Sequence, residues 1–164
     1  MIEMVIIAHN LRSAHNVGSL LRTAEGLGVR VILSGYTPYP IEHNDSRLPH
    51  LAQKIHKQIS KIALGAEDQP IWKHREDVLK TIEQLRSEGF VIAALEQGGS
   101  SVALQTFKSP EKLVIIVGRE VEGVEPEILK LCDLLLEIPM VGRKESFNVI
   151  QAAAMAMYHC TLVA

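Results

Sequence analysis

The stretch Leu113–Gly123, LVIIVGREVEG, decides how the rest of the chain is read. Leu113–Val117 is an unbroken apolar run that stops at Gly118, and Glu120 and Gly123 follow in a turn. A strand with one wet face alternates apolar and polar residues. A continuous run is the pattern of a strand covered on both faces, as in parallel sheets flanked by helices. Ligands of open parallel sheets sit beyond the carboxyl ends of the strands. Glycine at such an end lets a ligand approach the backbone. Alone, G-x-E-x-x-G is also an ordinary strand-to-turn pattern.

The neighbouring segments have the same character. Met4–Ala8, Val29–Leu33, Val91–Leu95 and Leu134–Ile138 read as further buried strands. Between them lie helical patterns: Asn16–Leu27, closed by Gly28, and Glu76–Ser87, with Val78, Leu79, Ile82 and Leu85 on one face. Pro126 opens a short helix ending near Leu131, and a last helix runs from Asn148 to Thr161. Leu51–Leu64 reads as a broken helix, and Ser34–Pro49, with Pro38, Pro40 and Pro49, as a long loop of the kind that is often functional. Strands alternating with helices predict an α/β domain with a mostly parallel sheet and helices on both faces.

The chain has 164 residues, of which 47% are hydrophobic and 22% charged, so disorder is excluded. The net charge is −2, which leaves any nucleic-acid binding to a local patch or to assembly. Aromatic content of 4% argues against a binder built on stacking platforms. Cys132 and Cys160 form no CxxC pair and read as small buried hydrophobes. No signal peptide or membrane-length apolar run is present, which points to a cytoplasmic protein without a membrane partner. Neither a GxGxxG nor a GxxxxGK[ST] motif occurs, and the seven histidines form no close metal-ligand pair, so no metal is expected.

Two further stretches depart from a plain core. On the helix Asn16–Leu27, Val17, Leu20, Leu21, Ala24 and Leu27 share one face, and Asn16, Ser19, Arg22, Thr23 and Gly26 the other. A solvated face usually mixes lysine and glutamate; this one carries a single arginine among small neutral groups. Arg12 and His15 precede the helix, whose N-terminus favours anions such as phosphate. The second stretch is Ile138–Val149, IPMVGRKESFNV, in which Ser146 is a natural N-cap for the last helix. Val149–Cys160 is apolar nearly all round and rich in alanine. Such a helix is buried by its own domain or by a second copy; a homodimer is the favoured reading.

Together these stretches resemble the SpoU (TrmH-like) family of the SPOUT methyltransferase superfamily. Asn10-Leu11-Arg12-Ser13-Ala14-His15-Asn16-Val17-Gly18, continuing to Arg22-Thr23-Ala24, is similar to its first motif; Gly118-Arg119-Glu120 with Gly123 to its second; and Ile138-Pro139-Met140 with Ser146-Phe147-Asn148-Val149 to its third. Arg119 stands where Asn is common and Phe147 where Leu is common, departures that bear on substrate choice. The resemblance covers nearly the whole chain. It implies a single domain over residues 1–164, without an added RNA-binding domain, whose C-terminal segment threads a trefoil knot. It also implies a homodimer, and S-adenosylmethionine as donor of a methyl group to a ribose 2′-hydroxyl of tRNA or, as the alternative, rRNA.

The same resemblance assigns catalytic roles to Asn16, Arg22, Glu120, Ser146 and Asn148. It places the cofactor against Leu95, Gly118, Ile138, Met140, Ser146 and Phe147. The family account makes the arginine a general base, but a guanidinium holds its proton at physiological pH. The physical expectation is instead that Arg22 positions the adjacent phosphate and stabilises charge developing on the oxygen, with Glu120 orienting it. Arg12, His15, Arg143 and Lys144, with Arg22 and Arg119, would form a basic mouth for RNA. Lys54, Lys57 and Lys61, at helical spacing, either extend it or form a solvated face. The rival readings are a catalytically silent RNA-binding or dimerisation module, and a different cofactor enzyme of the doubly wound type.

Overall fold

The computed structural model describes residues 2–163. In chain order its elements are β1 (Glu3–His9), α1 (Ala14–Leu27), β2 (Arg30–Ser34), α2 (Pro49–Ala63), β3 (Trp72–Arg75), α3 (Val78–Ser87), β4 (Val91–Leu95), β5 (Val102–Ala103), β6 (Lys112–Val117), α4 (Pro126–Leu129), β7 (Leu134–Glu137) and α5 (Val149–Tyr158). The seven strands lie in the order β3-β2-β1-β6-β4-β7-β5, and every pairing is parallel. The decisive stretch is therefore the middle of the sheet. Ile6 of β1 is in register with Ile115 of β6, and Ala93 of β4 with the same residue.

Alternate residues of the unbroken apolar strands feed two cores, as burial on both faces requires. Met4, Ile6, Ala8, Leu113, Ile115 and Val117 face α1, α2 and α5. Val5, Ile7, Val114 and Ile116 face α3 and α4. Burying these side chains, at about 1.5–3 kcal/mol each, is the main stabilising term.

The helix boundaries follow local chemistry. Ser13 caps α1 by accepting from the Asn16 N–H at 3.2 Å, so the helix begins at Ala14, two residues earlier than the apolar periodicity implies. Gly28 closes it at φ +66°. Asp77 caps α3. The Leu51–Leu64 region is not broken: α2 runs continuously, because its Ile55, Ile59 and Ala63 lie against α1. Asn148, and not Ser146, caps α5, its Oδ1 accepting from Ile150 N–H at 2.9 Å; the helix then ends in a π-type turn at His159–Val163. Two strands, β3 and β5, were not expected. Both are short edge strands whose sequences, WKHR and VA, carry no apolar run.

Gly18 sets the crossing of α1 and α2. A Cβ there would lie 2.6 Å from the Ile59 carbonyl oxygen and 2.9 Å from Ile62 Cβ. Gly18→Val is expected to separate the helices and cost about 1–3 kcal/mol, read as a lower urea midpoint.

The long Ser34–Pro49 loop is fixed by Arg47. Its guanidinium donates to Asp45 and to the carbonyls of Tyr39 and Pro40, and lies 3.6 Å over the Tyr39 ring, which stacks on His74. The arginine holds the Asp45 carboxyl well below the usual carboxylate range. Burial pushes both thiols, half-buried Cys132 and buried Cys160, up to about 11, which fits their reading as inert hydrophobes.

Candidate active site

The carboxyl ends of β4, β6 and β7 are adjacent, and the turns that follow them enclose a cleft. Its walls include Leu95, Glu96, Gly118, Arg119, Glu120, Leu136, Ile138, Ser146, Phe147 and Val149. The turn after β6 is tight: Arg119 and Gly123 exchange backbone hydrogen bonds at 3.1 and 3.0 Å. A Cβ at Gly118 would sit 2.4 Å from the carbonyl carbon and oxygen of Gly123 and 2.5 Å from Val124 N. Gly123 is at φ +73°. Glu96 fastens this turn from the β4 side, its Oε1 accepting from Val124 N–H at 2.7 Å.

Three carboxylates from the same region fasten it to the segment before α1. Glu120 accepts from the backbone N–H groups of Arg12 (3.1 Å) and Ser13 (3.2 Å) and from Asn16 Nδ2 (3.2 Å). Glu122 accepts from Arg12 Nη2 at 3.0 Å and lies 3.9 Å from Arg119 Nε. Glu125 accepts from Asn10 Nδ2 at 2.9 Å. Asn10 is in the left-handed region at φ +56° and accepts from Tyr36 N–H, tying in the loop after β2. Burial alone would raise the Glu120 carboxyl. Its hydrogen bonds, including those from Ser13, Arg12 and Asn16, outweigh this and hold it below the ordinary carboxylate value. His9, buried beside Glu125 and bonded to Ser34 Oγ at 2.9 Å, is lowered chiefly by burial.

These contacts alter three expectations. The anion at the N-terminus of α1 is the protein's own Glu120, so that end is not free for a phosphate. Glu120 also does not orient Arg22 within one copy, because its oxygens are taken by residues 12–16 and Arg22 lies six residues, about 9 Å, further along α1. The basic mouth is partly neutralised, since Arg12 and Arg119 both face Glu122.

Of the other predicted residues, Leu95, Gly118, Ile138, Ser146 and Phe147 line the cleft, while Met140 is not among its lining residues. Asn16 joins it through Glu120. Asn148 is exposed and engaged in capping α5. His15, Arg143 and Lys144 are exposed. Arg22 is exposed and borders a separate groove with Glu25, Ala63, Leu64, Gly65 and Gln69. Sequence reasoning missed Glu96, whose only signal is an acid immediately after a buried strand. It also missed Gln97, whose Nε2 donates to the Glu145 carbonyl and steadies the loop before α5.

A glycine-lined cleft at the carboxyl ends of parallel strands, with apolar walls and a clasped polar rim, belongs to the α/β class that binds small ligands at that edge. Residues 3–158 match the SpoU rRNA Methylase family, and the chain belongs to it. It is 28% identical over 159 residues to a Staphylococcus aureus (strain MSSA476) chain assigned provisionally to the TrmH family tRNA/rRNA methyltransferases, spanning 96% of this chain but 58% of that relative's length. It is 26% identical over 157 residues to the tRNA (guanosine(18)-2′-O)-methyltransferase of Aquifex aeolicus (strain VF5), covering 95% of this chain and 67% of the other.

Among solved structures, the AdoMet-bound rRNA methyltransferase from Sinorhizobium meliloti superposes with a TM-score of 0.77 at 22% identity, over 95% of this chain and 54% of that one. A structure described as giving insights into the 2-OH methylation of C/U34 on tRNA superposes with a TM-score of 0.72 at 22% identity, over 96% and 93% of the two chains. These likenesses establish the fold. Among the described residues no helix is long and apolar enough to cross a membrane.

Proposed function

We propose that this chain transfers a methyl group from S-adenosylmethionine to a ribose 2′-hydroxyl of RNA, with tRNA the favoured substrate and rRNA the alternative. The observation that carries the reading is the Gly118–Gly123 turn, held by Glu96 on one side and by Glu120 on the other. The residues present fit the donor. Leu95, Leu136, Ile138, Phe147 and Val149 offer an apolar slot for a flat heterocycle. Glu96, Glu120 and Glu137 offer negative charge beside a sulfonium. When bound, S-adenosylmethionine supplies an activated electrophilic methyl group.

The chain's own residues then have to align and polarise the acceptor. Alignment is worth up to roughly 7–11 kcal/mol. Asn16, oriented by its hydrogen bond to Glu120, and Ser146, on the cleft wall, hold the ribose. Asn148 keeps the start of α5, and with it the Ser146 loop, in place. Arg22 donates to the phosphate next to the acceptor and stabilises negative charge on its oxygen.

Arg22 does not line the cleft of its own copy, so the site is completed by a second copy. The exposed Met155, Tyr158, Leu162 and Val163 at the end of α5, which packs on α1, support this pairing. The expected trefoil threading belongs to the same proposal: the return of the chain from β7 past the 118–125 turn to α5 is the path it requires.

Calorimetric titration should give binding of S-adenosylmethionine and none of NAD. Deleting the gene should remove a 2′-O-methyl group from the mapped RNA of the cell. NAD binding, or an unchanged methylation map, would overturn the reading.

A further inference from the structure

The charge on α2 is one-sided. The helix, PHLAQKIHKQISKIA, contains Lys54, Lys57 and Lys61 and no carboxylate, in a chain whose net charge is −2. At 100° per residue the three lysines fall within one 60° arc, with His50 inside it. All four are exposed, and none of the lysines has an ion-pair partner among the described residues. An ordinary solvated helix face interleaves both signs. Glu67 and Asp68 lie against His56, on the flank of α2 away from the lysines.

The position of this ridge matters as much as its charge. Gly18 lets α2 approach α1 until backbone meets backbone, so the register of the two helices is fixed. The C-terminal end of α2, at Ala63 and Leu64, forms one wall of the groove whose other wall carries Arg22 and Glu25. From Lys54 to Lys61 the ridge extends about 10 Å, the length of a few phosphates of a nucleic-acid strand, on the side of α2 turned away from α1, and Lys61 stands two residues before Ala63, where the Arg22 groove begins.

We propose that Lys54, Lys57 and Lys61 of α2 form a phosphate track that leads the substrate RNA strand to Arg22. The proposal rests on the RNA-methyltransferase reading above and assigns the RNA affinity that the net charge of the chain does not supply. It differs from the basic mouth at the cleft, where Arg12 and Arg119 face Glu122.

The test uses the full-length chain and tRNA extracted from cells lacking the protein, with binding followed by fluorescence anisotropy across a salt series. For the triple variant Lys54→Gln, Lys57→Gln, Lys61→Gln, the slope of log K against log salt should shrink by about two, with binding about a hundredfold weaker near 0.1 M salt. Its urea midpoint and its affinity for S-adenosylmethionine should match the wild type. The control variant Lys73→Gln, Arg75→Gln, Lys80→Gln, on β3 and α3, should keep the wild-type slope.

If the α2 variant keeps the wild-type slope, or if both variants lose slope equally, the track is wrong while the methyltransferase reading stands. If the wild type binds the tRNA with no salt dependence, the track falls as well. If the wild type binds no RNA at all, the functional reading fails with it.

Discussion

Arg22→Ala is expected to lower the single-turnover rate of methyl transfer by about 10²–10³-fold, the cost of removing one donor from a preorganised oxyanion site. Binding of S-adenosylmethionine should be unchanged, because Arg22 is absent from the cleft walls. Stability should also hold, since Arg22 is exposed on the polar face of α1. Arg22→Lys separates two accounts of the same residue. If the planar fork grips phosphate and oxyanion together, lysine retains only a small part of the rate. Full rate in the lysine variant would sink the idea.

The proposed completion of the site by a second copy has its own check. An Arg22→Ala subunit keeps an intact cleft, and a Gly118→Val subunit keeps an intact Arg22. Mixed one to one, they should recover about a quarter of the wild-type sites if the residue acts across a two-fold dimer. If each site is completed within one chain, nothing is recovered.

Gly118→Ala is the second large effect. The added Cβ meets backbone on every side, at 2.4 Å from Gly123 and 2.5 Å from Val124. Backbone cannot rotate out of the way as a side-chain end can, so the turn itself has to move. Three contacts move with it: the Glu96 anchor, the Arg119–Gly123 pair and the Glu120 clasp. The variant should lose about 1–3 kcal/mol of stability, seen in urea unfolding. It should also lose calorimetrically detectable binding of S-adenosylmethionine. Gly99→Ala and Gly142→Ala, with nothing within 4 Å of the added atom, serve as controls and should bind normally. Tight binding by Gly118→Ala would remove the turn from the site.

Much of this was legible in the sequence because it depends on local rules. Unbroken apolar runs gave the parallel sheet, and Gly28 and Pro126 marked real helix boundaries. The three glycine- and asparagine-bearing stretches do meet beyond the carboxyl ends of the central strands. What stayed hidden is what depends on partners distant in the chain. Glu120 reads as a candidate for chemistry, yet its oxygens are spent on Arg12, Ser13 and Asn16, which no spacing rule brings near it. Gly18 reads as part of a motif, yet its reason is the Ile59 carbonyl. The strand Trp72–Arg75 carries its polar residues because it is an edge. Arg22 was identified by its isolation on a neutral face, and its position outside the cleft only the assembled helices reveal.

The clasp has a consequence for biogenesis. Its bonds join positions 104 to 115 residues apart, so the first motif leaves the ribosome long before the carboxylates that hold it exist. At ordinary elongation rates that interval is roughly 5–20 s, during which the amino-terminal helix has no Glu120 at its leading end. A nascent chain therefore gains the turn proposed to hold the donor only after the sixth strand has been made, and products cut short before that strand lack it.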